Sequence, residues 1–386
     1  VDPRYESPGA TYQDLIDACH KKGLKIIQDI VYNHTGNWGE ENLLKTFEKK
    51  DTGLESAETC MVPTAESLGT AEEYFSQKPG IQYDKRLALL KNTDGVNHDT
   101  NYIYHHYGNF NWDEYDSQLA QIAGDCVDLN TENPKVTNYL NDCYKKYISM
   151  GVDGFRVDTV KHISRLTWNE SILPELTKAG GDNFYMFGEV CTRDRNYWYR
   201  NTPGLSAPFY TWKESKEYPW SDDPEKNIEL TEEEFNDNAD IESQPTSDNA
   251  FLNGNDYHTP DRSKFSGMNV IDFPMHWNFK NARDAFSVAL AGDHSYNDPT
   301  WNVTYVDSHD YAPDCAPEGE RFNQDQKVWA ENLNLMFTFR GIPCIYYGSE
   351  IEFKKGKNID PANQKTTFEE SGRAYYGENL EGDVTA

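Results

Sequence analysis

Long apolar runs are missing from this 386-residue sequence, and no stretch of it is suited to cross a bilayer as a helix. Positive charge is scarce as well. Lys and Arg number 36 against 65 Asp and Glu, a formal charge of −29. A chain of that sign repels phosphate backbones and anionic membrane surfaces, which excludes nucleic-acid partners, whereas an uncharged substrate such as a sugar meets no penalty. Most of the acidity needs no partner and serves solubility. The seven cysteines (19, 60, 126, 143, 191, 315 and 344) contain no CxxC pair and no regular framework. Their odd number leaves at least one thiol unpaired, so cysteine does not fix the redox compartment. No internal repeat and no low-complexity tract is present, which excludes a solenoid. No secretory leader is visible in the residues given.

What the sequence does have is length, aromatic rings and a rhythm. It is long enough for one barrel-sized domain with insertions or for two to three ordinary ones, and 37% hydrophobic residues suffice for a core. Aromatics reach 13%, and flat rings with one polar edge suit both packing and stacking on sugar faces. Residues 11–22 place Tyr12, Leu15, Ile16 and Cys19 at helical spacing, with Gly23 where a C-terminal cap belongs, and 24–31 follow as a buried strand. Asn133-Pro134 opens a second helix, with Val136, Leu140, Cys143, Tyr144 and Tyr147 on one face, and a strand over 152–157 follows. Further strands are expected near 184–188, 269–273, 303–307 and 343–347. Six strands alternating with helices predict a parallel sheet with helices packed outside it. Two stretches break the rhythm. Residues 36–125 are polar and rich in Tyr, Asn and Gly, and read as a small inserted domain. Residues 191–268 hold an acidic run from Glu214 to Asp248 and read as an elaborated, solvated surface loop.

Four dense motifs stand where strands run out into loops. In Asp29-Ile-Val-Tyr-Asn-His-Thr35, strand alternation puts Asp29, Val31 and Asn33 on one face, and polar side chains inside a barrel need partners. In Gly154-Phe-Arg-Val-Asp-Thr-Val-Lys-His162, Arg156 and Asp158 share a face, and a guanidinium there keeps the carboxylate ionised, as a nucleophile requires. Taken alone, that pair would read as structural. Glu189 ends the apolar strand Phe184-Tyr-Met-Phe-Gly188, a setting that favours the neutral carboxyl of a general acid. Tyr305-Val-Asp-Ser-His-Asp310 again brings carboxyls and a His to a strand end. Active sites of α/β barrels lie at that C-terminal rim.

Taken together, in this order and at these strand ends, the four motifs resemble those of the α-amylase family, glycoside hydrolase family thirteen, and most of all its bacterial α-amylases. Asp125-Cys-Val-Asp-Leu-Asn130 resembles a fifth family motif, and the likeness spans essentially the whole chain. It implies a (β/α)8 TIM-barrel with an inserted domain after the third strand: residues 1–35 barrel, 36–125 inserted domain, 126–386 barrel. It implies Asp158 as nucleophile, Glu189 as general acid/base and Asp310 as transition-state stabiliser. Arg156 would support the nucleophile and His34 and His309 would bind sugar hydroxyls. Lys161 and His162 would line the leaving-group side, and Asp29 would be structural. A structural Ca²⁺ is implied, held by the Asn33 and Asp128 side chains and the His162 carbonyl, oxygen donors that suit this hard cation. The implied activity is retaining cleavage of internal α-1,4 bonds in starch and maltooligosaccharides, outside the cell or at its surface. A 4-α-glucanotransferase or an α-1,6-acting debranching enzyme would share every catalytic residue. A glucan-binding paralogue without catalysis would not need to keep all three carboxyls. Cys126-Val127 and Ser308 depart from the usual family residues.

A closed barrel needs eight strands, and six are read here. Val1-Asp-Pro-Arg-Tyr5 resembles the family segment just after the second strand, and Gly341-Ile-Pro-Cys-Ile-Tyr-Tyr-Gly348 resembles the last strand. The expectation is therefore a chain that forms part of a longer protein.

Overall fold

The computed structural model describes residues 9–35, 47–49, 61–63, 65–78, 81, 84, 85, 88, 101–105, 107, 110–122, 126–192, 203–249, 262–315 and 319–359. They form two compact units. The first comprises residues up to Glu189 together with Glu214–Ala239; the second comprises Val190–Lys213 and the residues from Asp240 onward. Most of the expected inserted domain, the Val1–Tyr5 segment and the tail after Ile359 lie outside the described residues.

In the first unit each strand follows its helix. Helix α1 (Tyr12–Lys21) starts on a capping box in which Thr11 and Asp14 exchange side-chain and backbone hydrogen bonds, and it leads into β1 (Ile27–Val31). A two-residue strand β2 (His34–Thr35) follows, and short strands β3 (Phe47–Lys49) and β4 (Met61–Pro63) pair antiparallel. A five-residue helix α2 (Ala71–Phe75) comes next. Strand β5 (Val127–Asp128) runs antiparallel to β2, setting His34 opposite Asp128.

Helix α3 (Pro134–Met150) has Asn133 as N-cap, accepting from Lys135 N, and Pro134 at its first turn, as expected. It stops at Gly151, whose φ of 103° is a left-handed value that only glycine takes without penalty. Then comes β6 (Gly154–Asp158). Arg165–Thr167 passes through a π-helical turn, Trp168–Ile172, into α4 (Leu173–Gly180), and β7 (Tyr185–Gly188) follows. Strands β1, β6 and β7 are parallel, with Ile27 opposite Gly154 and Gly154 opposite Tyr185.

Alternation along β6 sends Phe155 and Val157, both fully buried, toward the helices and leaves Arg156 and Asp158 on the other face. Burying such side chains contributes about 1.5–3 kcal/mol each. Tyr32, Tyr144, Trp168 and Phe155 form an aromatic cluster there, with Tyr32 4.8 Å from Tyr144 and 5.5 Å from Trp168. Among the described residues β1 is bonded on one side only, to β6, and Leu24 and Ile27 are exposed.

The acidic run differs from the solvated loop expected of it. It contains α5 (Pro224–Asp237), capped by Asp223, and Asn227, Thr231 and Glu234 on its inner face are buried in the first unit. The cause is a buried cation: Arg165 binds Glu214 through Nε and Nη2, both at 2.6 Å, and its Nη2 lies 3.4 Å from Glu234. A carboxylate run read as a hydrated surface thus supplies Glu214 as the counter-charge of an interior arginine.

The second unit repeats the parallel pattern with β8 (Asn269–Val270), β9 (Val303–Thr304) and β10 (Ile342–Pro343). Ile271 bridges Val303 in parallel, and Ile342 pairs with Val303. These strands are shorter than expected because caps and prolines end the ladders. Asp272 accepts from Met275 N and starts α6 (Phe273–Asn278), two residues beyond β8. Helices α7 (Ala282–Gly292) and α8 (Gln326–Thr338) follow, and Met275, Phe279, Ala285, Ala289, Val306, Phe322, Trp329 and Met336 form one core cluster. Thus all six expected strands are present. No described helix is long and apolar enough to cross a membrane, and the six described cysteines are all free thiols.

Candidate active site

At the end of β6, Arg156 gathers three carboxyls. Its Nη1 lies 2.5 Å from Asp158 Oδ1 and 3.0 Å from Asp29 Oδ1, and its Nη2 lies 3.1 Å from Glu189 Oε2. The parallel register accounts for this, since Asp29 is level with Arg156 and Glu189 follows the residue paired with Val157. Glu189 is also tied by its backbone, donating N–H to Val157 O at 2.8 Å. Thr159 turns into the left-handed region, φ 51°, and donates its N–H to Glu189 Oε2 at 3.2 Å.

Burial pushes the Asp158 carboxyl up. The charge and hydrogen bond of Arg156, a hydrogen bond with Glu189 and the field of His34 outweigh it and hold the carboxyl below its usual range. Glu189 itself is only 8% exposed, and its Oε2 is held by Arg156 and by the Thr159 N–H.

A second cluster joins the loop after β1 to β5. Asn33 Nδ2 donates to Asp128 Oδ1 at 3.0 Å and to the His162 carbonyl at 3.2 Å, while its Oδ1 faces His34 Nδ1 at 3.2 Å. Behind Asp128 stands His105, 2.7 Å from Asp128 Oδ2 through Nδ1 and 2.9 Å from Glu132 Oε2 through Nε2. Burial alone would lower the His105 pKa. Its hydrogen bonds to both carboxylates and their charges carry it instead to about 9, making it a buried imidazolium. Thr167 Oγ1 completes the network by donating to Glu132 Oε1 at 2.6 Å.

Lys161 and His162 lie on a 3₁₀ turn directly after Asp158 and Thr159. Burial, then the Lys161 charge, press the His162 pKa down to about 3, so its ring is neutral and Nδ1–H donates to the Ser117 carbonyl at 3.0 Å. Half-exposed Trp112 packs edge-on against that ring at 5.3 Å and lies under Lys161 Nζ at 5.6 Å.

In the second unit, His309 Nε2 and Asp310 Oδ2 stand 2.7 Å apart. Ser308 Oγ accepts from the backbone N–H groups of Asp310 at 3.2 Å and Tyr311 at 2.9 Å, closing the turn that presents the pair.

Comparison with known proteins bears on this arrangement of residues. Residues 1–377 match the sequence profile of the α-amylase catalytic domain. The chain belongs to the α-amylase family. Family membership makes the parallel helix–strand pattern that of a (β/α)8 TIM-barrel catalytic domain. Cyclomaltodextrin glucanotransferases are among its relatives. That of Geobacillus stearothermophilus is 26% identical over 374 residues, covering 94% of this chain and 38% of the relative. One from Niallia circulans is 24% identical, covering 95% and 38%. The chain thus spans well under half the length of these curated relatives. Among solved structures, the cyclomaltodextrin glucanotransferase CldA superposes with a TM-score of 0.51 at 18% identity, over 91% of this chain and 56% of that one.

Within this family framework, the first unit brings together Asp29, Arg156, Asp158 and Glu189, and separately Asn33, Asp128 and His162 with His34 beside them. The second unit brings together His309 and Asp310. His105, Glu132 and Trp112 were not legible in the sequence as members of these clusters. The one available signal was Glu132, a carboxyl directly before the N-cap Asn133 and four residues after Asp128.

The Ca²⁺ donor set implied by the family can be tested on this geometry. A carboxylate, a backbone carbonyl and a carboxamide do meet at one buried place, all within reach of the Asn33 amide. A half-turn of that amide would present Oδ1 in place of Nδ2. Asp128 is fully buried, and burial raises its pKa despite His105, so a cation there would relieve a real electrostatic cost. The residues fit. Among the described residues no three His, Cys, Asp or Glu side chains converge as a metal cluster.

Proposed function

We propose that this chain carries the catalytic machinery of a retaining glycoside hydrolase that cuts internal α-1,4 bonds of starch and maltooligosaccharides. The observation that carries the reading is the pair Asp158 and Glu189, both held by one guanidinium that keeps the Asp158 carboxyl below its usual range. Double displacement needs two carboxyls at one site, one ionised to attack and the other able to give a proton. Glu189 gives its proton to the glycosidic oxygen while Asp158 attacks the anomeric carbon. The bond to the leaving sugar breaks, and a covalent glycosyl-enzyme forms. Glu189, now ionised, takes a proton from water as the water oxygen attacks the same carbon and Asp158 leaves, so the configuration is retained. Asp310, with His309, would bind the sugar as positive charge develops on its ring, an interaction strongest in the transition state.

His34, Lys161 and His162 would contact sugar hydroxyls, the last two on the leaving-group side. Asn33, Asp128 and the His162 carbonyl would hold Ca²⁺, which would fix the loop after β1 to β5 and the turn after β6. Residues 36–125 would form the inserted domain between two barrel segments. Action on polymeric starch fits an extracellular or cell-surface setting.

A second reading has support in the relatives themselves, several of which are named cyclomaltodextrin glucanotransferases. Transfer uses the same intermediate, with a sugar hydroxyl replacing water. An α-1,6-acting debranching enzyme would likewise keep the same carboxyls. The deciding experiment follows products from amylose and from pullulan over time. Hydrolysis of amylose releases reducing ends from the start, whereas transfer rearranges chains with few new ones. Action on pullulan alone would point to α-1,6 cleavage.

A further inference from the structure

Arg321 is among the largest fully buried side chains, at 1% exposure, and lies eleven residues after Asp310. A buried guanidinium persists only where its donors are used, and these donors are spread over two segments of the second unit. Its Nε donates to Asp307 Oδ2 at 2.9 Å. Its Nη2 donates to Ser349 Oγ at 2.9 Å and to the Tyr347 carbonyl at 3.2 Å. Its flat face lies 4.5 Å from the centroid of the Tyr346 ring. The remaining contacts converge on the same place. Asp307 also accepts from Phe322 N and from Ser349 Oγ, each at 3.3 Å, so its carboxylate is fixed by three donors three residues before Asp310. Tyr346 in turn stands 6.5 Å, ring to ring, from His309, the partner of Asp310.

We propose that Arg321 is a positioning residue for the His309–Asp310 pair. It acts along two routes: through Asp307, which sets the path of the chain entering the Ser308 turn, and through Tyr346, which backs the His309 ring. Lysine could neutralise Asp307 but could not use two donor directions and a flat face at once. The inference rests on the proposed role of Asp310 in the transition state. Loosening the pair should therefore lower kcat far more than it raises KM.

The test measures kcat and KM on maltooligosaccharides for R321M, R321K and Y346L in the active enzyme, with D310N alongside and folding checked by near-ultraviolet circular dichroism. Expected are a loss of kcat of at least about tenfold in R321M, a smaller loss in R321K and Y346L, and KM within about threefold of the parent. The double variant R321M/Y346L should lose less than the product of the two single losses, because both act on one pair. A folded R321M with kcat within about twofold of the parent overturns the proposal, as does a loss confined to KM. Should R321M fail to fold, parental kcat in folded R321K and Y346L overturns it equally. D310N separates the two levels. If D310N keeps its activity, the reading of the site falls; if D310N is inactive while R321M is parental, only the role of Arg321 falls.

Discussion

Thr159 donates its backbone N–H to Glu189 Oε2 at 3.2 Å, and it can do so because its backbone is left-handed, with φ 51°. That conformation costs a β-branched residue about 1–3 kcal/mol and clusters at functional sites. The same oxygen meets Arg156 Nη2 at 3.1 Å. Two donors thus fix Oε2, and in the proposed mechanism Oε1 would be the oxygen that serves the leaving group.

Glu189→Gln should therefore lose maltooligosaccharide hydrolysis by roughly a thousandfold while losing far less on substrates whose leaving group needs no proton, such as a glycosyl fluoride. Steady-state rates on both substrates check it. An equal loss on both would remove Glu189 from the role of acid.

Asp158→Asn should lose at least about a thousandfold in turnover with the fold intact, because an amide cannot form the glycosyl-enzyme bond. In the parent, proton magnetic resonance of fresh product should show the α-anomer first. Product released as the β-anomer would contradict double displacement.

Chelation should lower both the melting temperature and the activity, and added Ca²⁺ should restore them. Asp128→Asn should blunt that response, since it removes the one carboxylate of the proposed donor set. Indifference of the parent to chelator by both measures would retire the site.

Glu234 supplies a pH test. Burial, then the neighbouring Glu214 charge, raise its carboxyl to about 8, Arg165 notwithstanding. A carboxyl raised on folding binds its proton more tightly in the native state, so stability falls as pH climbs from the unfolded value, near 4.5, through about 8. Glu234→Gln removes the charge that must be buried. Its melting temperature relative to the parent should rise between pH 6 and pH 9, by at least about 2 °C. A pH-independent difference would show that Glu234 does not titrate in this window.

Gly154→Ala should destabilise the fold by about 1–3 kcal/mol, because a methyl group there would collide with the Tyr185 carbonyl oxygen across the β6–β7 ladder. Urea unfolding measures this. A neutral result would mean that the two strands can separate without penalty.

The strand ends were legible because strand periodicity is strict. Two residues after Arg156, Asp158 has to share its face, and the helix-facing Phe155 and Val157 have to be apolar. Caps were legible for a similar reason, since Asn133-Pro134 and Gly23, whose φ is 74°, leave the backbone little choice. What stayed hidden depended on distance along the chain. Nothing near Glu214 announces Arg165, 49 residues away, so the acidic run read as hydrated surface although α5 is buried along one side. His105 was equally silent, because its partners Asp128 and Glu132 belong to other segments and no fixed spacing links a histidine to carboxylates that neutralise it.

The convergence of Asp29, Asp158 and Glu189 on one arginine also sets how the proposed site meets an arriving molecule. Three carboxyl groups gather on one cation, and Asp158 among them is held below the usual carboxylate range, so negative charge gathers at this corner of the proposed site. An uncharged sugar is indifferent to that excess. A sugar mimic carrying a protonated nitrogen near the anomeric position is not, because it brings the missing positive charge with it. Its grip should loosen as salt screens the field and as pH deprotonates the amine, giving this enzyme an inhibitor preference based on charge.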